Sequence, residues 1–245
     1  MENNPFSRIR EIVIEQGKRD PNNSFHVISN LNWSRYVRQV NYLATLLPSG
    51  KILDVGCGWG HTTAMLANLR PDIEVMGVDL NRTLAWDSLL DYGARYQVAD
   101  ALNLPYHSGQ FDAAISFGSM EHTGNEKKFL GEINRVIKNN APLVIFNLPN
   151  KYAISEFVGT LLGLDHHEHR YSQGVIKSIF FDVGFELIMT KREHIVPAQV
   201  DRVSRKIGKM FNRRYSALNK VDSVLIKTPL QLIAEDWMIQ AKKVR

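Results

Sequence analysis

One short stretch of the chain has the residue types of a ligand-binding turn. Asp54, Gly56, Gly58 and Gly60 close an apolar run and open a segment of helical periodicity. Glycine lets the backbone turn tightly and approach a ligand, and the N-terminus of the helix that follows favours negative charge. The dinucleotide fingerprint G-x-G-x-x-G would need a glycine at position 61, where His61 stands instead. The stretch therefore predicts a ligand-binding turn outside the dinucleotide-binding pattern.

Two further carboxylates follow the next apolar runs. Asp79 closes the second run and Asp100 follows the third. In a parallel sheet, a carboxylate at the first of these positions can accept from both hydroxyls of a ribose. The second is placed to accept from the exocyclic amine of adenine. Residues 118–122, after the fourth run, would lie across the switch point of the sheet from the glycine turn, where ligands of open α/β sheets bind. These spacings predict a ligand that carries adenosine.

The surrounding sequence alternates between strands and helices. Five apolar runs predict strands, over residues 51–55, 73–79, 95–99, 111–117 and 142–148. Three segments of helical periodicity lie between them, over residues 61–69, 83–91 and 125–138. Two more helices, over 6–16 and 33–47, precede the first strand. The alternation predicts a parallel sheet with helices on both faces.

Beyond residue 148 the alternation changes. Ser172 is expected to cap a helix that Gly184 ends, and a strand over 185–191 follows. A last strand is expected near 233–240. Between these two strands, residues 200–211 have apolar side chains on one helical face and basic side chains off it. This segment predicts a basic amphipathic helix.

Charge is unevenly distributed along the chain. The net charge is +5, yet the first 190 residues are close to neutral, while residues 191–245 hold 13 basic and 5 acidic residues. The asymmetry favours an anionic partner, either a membrane surface or a nucleic acid, and the alternative is a solvated helical face. A single cysteine excludes an intramolecular disulfide framework and cysteine-based zinc sites. No apolar run approaches the ~20 residues of a membrane span, so we expect a cytoplasmic protein, peripheral at most.

An ordered set of residues resembles the class I S-adenosylmethionine-dependent methyltransferases: Asp54-x-Gly56-x-Gly58-x-Gly60, Asp79, Asp100-Ala101 and Glu121-His122. Within that family the chain is most similar to the type 11 group, which includes ubiquinone- and menaquinone-pathway enzymes and many sugar, lipid and natural-product methyltransferases. The resemblance runs from about Lys51 to Phe185. It implies a doubly wound, Rossmann-like α/β fold. Its seven-stranded, mostly parallel sheet has the order 3-2-1-4-5-7-6, with the seventh strand antiparallel.

The resemblance implies S-adenosylmethionine as the cofactor. The predicted binding residues are Asp54, Gly56, Gly58, Gly60, Asp79, Leu80, Asp100, Ala101, Phe117 and Arg35. The three glycines would wrap the methionine part of the cofactor, while Asp79 would bind the ribose. Leu80 would pack on the adenine, and Asp100 would bind its amine beside the backbone of Ala101. Phe117 would lie under the sulfonium, and Arg35 would reach the carboxylate.

The predicted activity is methyl transfer to a small-molecule, sugar or lipid-linked acceptor, at oxygen. A hydroxyl acceptor needs a base with a pKa near neutrality, and histidine provides one. We predict His122, at the switch point, as the first candidate and His169, in the histidine-rich group 165–171, as the second. The alternative is that His122 packs structurally and the group is a solvated loop. Some ubiquinone-pathway relatives bind a divalent ion after the fourth strand, but Gly118 replaces an acid there, so we predict no metal site.

The expected domain organisation is an N-terminal helical lid over 1–48 and a cofactor-binding core over 49–194. A basic insertion over 195–232 and the final strand over 233–245 complete the same domain. Residues 200–214 are predicted to rest on an anionic membrane surface, or else to form a soluble lid. Two other functions stay open: an RNA or protein methyltransferase that uses the basic segment, and a non-catalytic cofactor-binding scaffold. Nucleic acid is disfavoured because Ser116-Phe117-Gly118-Ser119 stands where nucleobase-amine methyltransferases often carry Asn/Asp-Pro-Pro-aromatic.

Overall fold

A computed structural model of the chain describes residues 5–19, 29–161, 169–197 and 205–244. Within these ranges one seven-stranded sheet has the order β3-β2-β1-β4-β5-β7-β6. The strands are β1 (Gly50–Val55), β2 (Ile73–Asp79), β3 (Ala94–Val98), β4 (Ala113–Phe117), β5 (Pro142–Pro149), β6 (Phe185–Glu193) and β7 (Asp236–Lys243). Strands β1 to β5 pair in parallel, and β7 runs antiparallel between β5 and β6. The predicted strand order and the antiparallel seventh strand are confirmed.

Helices precede the sheet, connect its strands and form the basic insertion. They are α1 (Ser7–Gly17), α2 (Asn30–Leu46), α3 (His61–Leu69), α4 (Ala85–Leu89), α5 (Glu126–Val136), α6 (Ile154–Leu161), α7 (Gln173–Asp182), α8 (Arg205–Arg213) and α9 (Tyr215–Leu225). The predicted Ser172 cap forms, since its side chain accepts from a backbone N–H at the start of α7, and Asn125 caps α5 in the same way. In the ranges that the structure covers, no helix is long and apolar enough to cross a bilayer.

Two hydrophobic cores lie on opposite faces of the sheet. Successive residues of β1 alternate between them: Ile52 packs in the core under α2 and α3, and Leu53 in the core under α5 and α7. Both side chains are fully buried, which is expected for a parallel strand with helices on both sides. Because β1 to β5 are parallel, their carboxyl ends lie at one edge of the sheet, where the loops carry most of the predicted site residues.

The last strand differs from its prediction. It begins at Asp236, three residues after the expected start near residue 233. Residues 229–233 form a 3-10 helix, because Pro229 fixes its first position and the Thr228 hydroxyl accepts from the N–H of Leu230. Helices α6 and α9 were not predicted. The predicted basic helix is present from Arg205 onward, and its first part lies outside the described residues.

Polar contacts join α2 to the basic insertion. Asn30 bonds to Asn212 of α8 twice, through its backbone N–H at 2.5 Å and its side-chain amide at 3.0 Å. The amide of Asn219 on α9 donates to the hydroxyl of Ser34 at 2.8 Å. The buried carboxylate of Asp222 accepts from two backbone N–H groups that follow β6. The insertion is thereby attached both to α2 and to the sheet.

Candidate functional site

The glycine turn joins β1 to α3 at the carboxyl edge of the sheet. Gly56, Gly58 and Gly60 have φ angles of 75°, 49° and 77°, which favour glycine. A Cβ atom at Gly56 would collide with the side chain of Ser119, and one at Gly60 would lie 2.5 Å from the Tyr96 ring. At Gly58 a Cβ atom would meet open space. The turn is therefore packed from behind at two glycines and open to a ligand at the middle one.

Asp79, the last residue of β2, holds this turn from one side. Its carboxylate accepts a hydrogen bond from the backbone N–H of Gly58 at 2.9 Å and another from Asn81 at 3.0 Å. A carboxylate oxygen has lone pairs for further donors. The next side chain, Leu80, is 64% exposed although it is apolar. An acceptor beside an exposed apolar side chain suits a ribose joined to a flat base.

Asp100 and Ala101 lie at the end of the neighbouring strand. The N–H of Ala99 donates to the backbone oxygen of Asp79 at 2.9 Å, which keeps the two strand ends together. The Asp100 side chain is exposed and accepts from the N–H of Leu102 at 2.8 Å, so its position is fixed. Ala101 is half-buried against the core on the α5 face. The two carboxylates predicted from spacing thus occupy adjacent strand ends.

Asp54 lies beneath the glycine turn and is fully buried. One carboxylate oxygen accepts from the hydroxyls of Thr63 at 2.7 Å and Thr62 at 3.3 Å, both in the first turn of α3. Its other oxygen has no hydrogen-bond partner in the described part of the chain. Burial raises the pKa of Asp54 to about 7, against the lowering effect of the threonine hydrogen bonds. Through these contacts Asp54 links the end of β1 to the start of α3, the two elements that the glycine turn joins.

Aromatic rings line the region between α2, the glycine turn and the end of β4. Phe117 stacks on Phe146 with ring centroids 5.2 Å apart, and Tyr36 meets Phe117 edge-on at 6.3 Å. Tyr36 also meets His61 edge-on at 4.7 Å, and Trp33 stacks on His61 at 5.9 Å. We refer to these five residues as the aromatic cluster. It connects the glycine turn to the predicted position of the sulfonium at Phe117.

His122 lies in a 3-10 helix (Met120–His122) directly after β4. Its side chain is 68% exposed, and its Nε2 atom is 3.9 Å from Oε1 of Glu121, which is buried. An accessible histidine thus lies beside a buried carboxylate at the switch point of the sheet, at the position predicted for the first candidate base.

His169, the second candidate, pairs with a different carboxylate. Its Nδ1 atom is 3.3 Å from Oε1 of Glu126, the first residue of α5. The same oxygen accepts from the hydroxyl of Tyr171 at 2.8 Å. Burial and this hydrogen bond raise the pKa of Tyr171, so its hydroxyl stays protonated. Of the histidine-rich group, residues 165–168 lie outside the described residues, and among those described no metal-binding cluster of acids, histidines and cysteines occurs.

Arg35 is buried in α2 and extends toward the last two strands. Its guanidinium donates to the backbone oxygen of Val196, just after β6. Burial lowers its pKa, while the charge of Asp222 acts in the opposite direction. No contact between this guanidinium and the glycine turn is present among the described residues. Its predicted role at the cofactor carboxylate stays a prediction.

Three features of the site were not identified from the sequence. His61 and Tyr36 meet through side chains far apart in the chain. Gln39 donates to Asn147 at 2.8 Å, where a bulge in β5 gives Asn147 a φ of 58°. Glu235, just before β7, has one oxygen bonded to Ser155 and the other without a partner in the described chain, and burial raises its pKa to about 7. His61 gave a signal in the sequence, because it stands where the dinucleotide fingerprint needs a glycine.

The sheet order, the antiparallel seventh strand and the glycine turn after β1 together define a class I methyltransferase fold. Residues 53–145 match the family described as "Methyltransferase domain". Over these residues the chain is therefore similar to the class I S-adenosylmethionine-dependent methyltransferases of the type 11 group.

Individual known methyltransferases are also similar to the chain. Ajmaline N-methyltransferase of Rauvolfia serpentina is 27% identical over 194 residues, covering 76% of this chain and 54% of that protein. The chloroplastic tocopherol O-methyltransferase of Arabidopsis thaliana is 35% identical over 102 residues, covering 39% and 29%. The chain thus spans about half, or less, of the length of these relatives. A solved SAM-dependent methyltransferase of Thermotoga maritima has the same fold, with a TM-score of 0.59 at 15% identity, covering 96% of this chain and 99% of that one.

Proposed function

We propose that the chain binds S-adenosylmethionine at the glycine turn and transfers its methyl group to an oxygen of a small-molecule acceptor. The observation that carries this proposal is the Asp79 carboxylate bonded to the N–H of Gly58, beside a turn that is open at Gly58 and an exposed Leu80. The bound cofactor supplies an electrophilic methyl group on a sulfonium. The residues of the chain fit it, because they offer ribose acceptors, an apolar base platform and a turn without side chains.

The aromatic cluster would hold the sulfonium, and His122 or His169 would remove the proton of the acceptor. A sulfonium is a cation, and the faces of Phe117 and Tyr36 attract cations electrostatically. The acceptor must be aligned with the methyl group and must lose its proton. His122 accepts that proton, and the buried carboxylate of Glu121 stabilises the imidazolium. His169 with Glu126 is the second candidate for the same step.

Thermal unfolding with and without S-adenosylhomocysteine tests cofactor binding directly. At 100 times its dissociation constant, a ligand stabilises the native state by about 2.7 kcal/mol, which raises the Tm of a domain of this size by several degrees. Wild type and the control Asp91→Ala should shift, because Asp91 is an exposed residue of the 3-10 helix Leu90–Tyr92 and is not among the predicted binding residues. Asp79→Ala should not shift. A folded wild type that does not respond would overturn the proposal.

The acceptor atom distinguishes the proposal from its nearest alternative. Relatives include both N- and O-methyltransferases. Oxygen is favoured here because a hydroxyl is a weak nucleophile until a base removes its proton, and the chain offers histidine–carboxylate pairs for that step, whereas a neutral amine attacks without losing a proton first. Transfer of a labelled methyl group to panels of phenols, sugars and amines separates the two. Labelling of amines alone would overturn the oxygen assignment.

We further propose that helix α8 rests on an anionic membrane surface and brings the site to a lipid-linked acceptor. A shallow surface depression is lined by Met210 and by four basic residues, of which three lie in α8 and the fourth follows it directly: Lys206, Lys209, Arg213 and Arg214. The apolar residues Ile207 and Met210 are 43% and 48% exposed. A helix with exposed apolar residues among several cations has the composition of an interfacial helix.

Sedimentation with vesicles tests the membrane proposal. Binding to phosphatidylglycerol vesicles should exceed binding to phosphatidylcholine vesicles, and should weaken with salt. Lys206→Gln/Lys209→Gln should reduce it, whereas Lys128→Gln/Lys177→Gln, which removes the same charge from exposed positions of α5 and α7, should not. Binding that ignores lipid charge would overturn the proposal. So would tight binding to RNA with a steep salt dependence and none to vesicles.

A further inference from the structure

His61 is a buried histidine whose ring nitrogens are unsatisfied. Its side chain is 6% exposed, and neither Nδ1 nor Nε2 has a hydrogen-bond partner in the described part of the chain. Burial lowers its pKa to about 4, so the ring is neutral and carries one donor and one acceptor. Buried polar atoms without partners are uncommon in folded proteins and call for an explanation. A ligand that supplies the missing partners would provide one.

The aromatic neighbours of His61 orient its ring without satisfying it. Trp33 stacks on it, with the two ring planes inclined by 29°. Tyr36 meets it edge-on at an interplanar angle of 80°. Stacking uses the face of an imidazole, and hydrogen bonds form in the plane of the ring, where both nitrogens lie. The ring is thus held in place with its donor and acceptor available.

The position of His61 in the fold indicates the charge of the missing partner. It is the first residue of α3, a helix of nine residues that begins directly after the glycine turn. No side chain caps this helix, and its first turn contains no acidic residue. The backbone N–H groups at a helix N-terminus favour an anion. Burial raises the pKa of the adjacent Tyr36 to about 12, so that side chain too remains a donor.

We propose that His61 donates a hydrogen bond to the carboxylate of the cofactor's amino-acid end, at the N-terminus of α3. This inference rests on the proposed function. Arg35, for which a contact with the same carboxylate was predicted, donates to the backbone oxygen of Val196. His61 lies directly after the glycines that are expected to wrap the methionine part of the cofactor. The other ring nitrogen is left to accept from the ammonium group or from water.

Two ligands separate this proposal from a packing role. S-Adenosylhomocysteine has the amino-acid end, and 5′-methylthioadenosine has the same nucleoside and sulfur without it. Calorimetric titration of His61→Phe, which keeps an aromatic ring, should show S-adenosylhomocysteine binding about 10- to 100-fold more weakly, as loss of a hydrogen bond to a charged group predicts. Its affinity for methylthioadenosine should stay within about twofold of wild type. His61→Gln, which retains a donor, should lose less.

The controls keep the outcomes distinct. His107→Phe, a matched change at an exposed histidine in the loop before β4, should leave both affinities unchanged. Equal weakening of both ligands in a folded His61→Phe protein would overturn the inference and assign the ring to packing. Unchanged affinity for S-adenosylhomocysteine would also overturn it. Wild-type protein that binds neither ligand would overturn the proposed function itself, whereas selective failure of the variant comparison leaves that function standing.

Discussion

The carboxylate of Asp79 accepts a hydrogen bond from the backbone N–H of Gly58 at 2.9 Å. This contact joins the end of β2 to the turn that follows β1, across two adjacent strands of the sheet. The same carboxylate is the predicted acceptor for the ribose. A change at Asp79 therefore affects the position of the turn and the ligand it receives.

Asp79→Asn keeps the side-chain size but removes its charge. We expect its affinity for S-adenosylhomocysteine to fall by about 10- to 100-fold, since hydrogen bonds to charged groups contribute about 1.5–3 kcal/mol. The Tm without ligand should change little, because the amide oxygen can still accept from Gly58. Calorimetric titration measures the affinity, with Asp91→Asn as the control. Wild-type affinity in Asp79→Asn would contradict the assignment of the ribose to this residue.

Gly60→Ala should destabilise the protein strongly. A left-handed backbone costs a residue with a side chain about 1–2 kcal/mol, and the new methyl group would press on the Tyr96 ring. With overpacking included, we expect a loss of about 2–4 kcal/mol, measured by denaturant unfolding. Gly174→Ala is the matched control, since a Cβ atom there meets nothing within 4 Å. If the two variants unfold alike, the turn is less constrained than its geometry indicates.

Glu235→Gln should change how stability depends on pH. Burial raises the pKa of Glu235 to about 7 in the folded protein, above its ordinary value of 4.5. The folded state therefore binds this proton more tightly, and its contribution to stability is lost as pH rises from about 4.5 to about 7.

A glutamine side chain does not titrate, so the variant does not lose this stability as the pH rises. The unfolding free energy of Glu235→Gln, relative to wild type, should increase by about 3 kcal/mol between pH 4 and pH 8. Asp54 has a raised pKa in both proteins, so its contribution cancels in the difference. Glu186→Gln, at an exposed position of β6, is the matched control. A flat difference for Glu235→Gln would mean that its carboxyl is hydrated in solution.

His122→Asn should lower kcat without weakening cofactor binding. Loss of a general base typically costs about 10²- to 10⁴-fold in rate. Once an acceptor is found, kcat and its pH dependence test this, and calorimetry checks the affinity for S-adenosylhomocysteine. His107→Asn, an exposed histidine in the loop before β4, is the control. Full activity in His122→Asn together with a large loss in His169→Asn would move the base to the second candidate.

Asp222→Ala should loosen the basic insertion. The Asp222 carboxylate is buried and accepts from the N–H groups of Ile195 at 2.6 Å and Val196 at 2.9 Å. Alanine would leave both donors unsatisfied, at a cost of about 2–4 kcal/mol. Asp222→Asn keeps an acceptor oxygen and should lose less. Limited proteolysis of α8 and α9 measures the loosening, and equal protection in all three proteins would contradict it.

The parallel part of the sheet could be predicted because each strand is a short apolar run between turn residues. For β2 the predicted and observed ranges agree, residues 73–79. The start of β7 was missed because Ile233 and Ala234 continue the apolar run, while Pro229 and the Thr228 cap hold the chain in a 3-10 turn. Apolar composition cannot distinguish these two backbones. Helix α9 was missed because its apolar residues include exposed ones, such as Val224, at 63%.

The candidate site likewise has a part that could be predicted from the sequence and a part that could not. The glycine turn and its carboxylates are local in sequence, so residue type and spacing suffice to find them. The contacts of Tyr36 with His61 and of Gln39 with Asn147 join helix α2 to distant segments. Periodicity identifies which face of α2 is buried, but it does not identify what that face meets. Neither bulge residue, Phe146 or Asn147, is a glycine or a proline, so residue type did not indicate the bulge.

The hydrogen bonds from α2 to the insertion have a consequence for the order of events in a catalytic cycle. Asn30 and Ser34 tie α2 to α8 and α9, and the same helix carries Tyr36 against His61 at the glycine turn. We therefore expect α2, α8 and α9 to move together when the cofactor exchanges. An acceptor seated beneath these helices would block the exchange. We expect ordered kinetics, in which the cofactor enters first and its demethylated product leaves last.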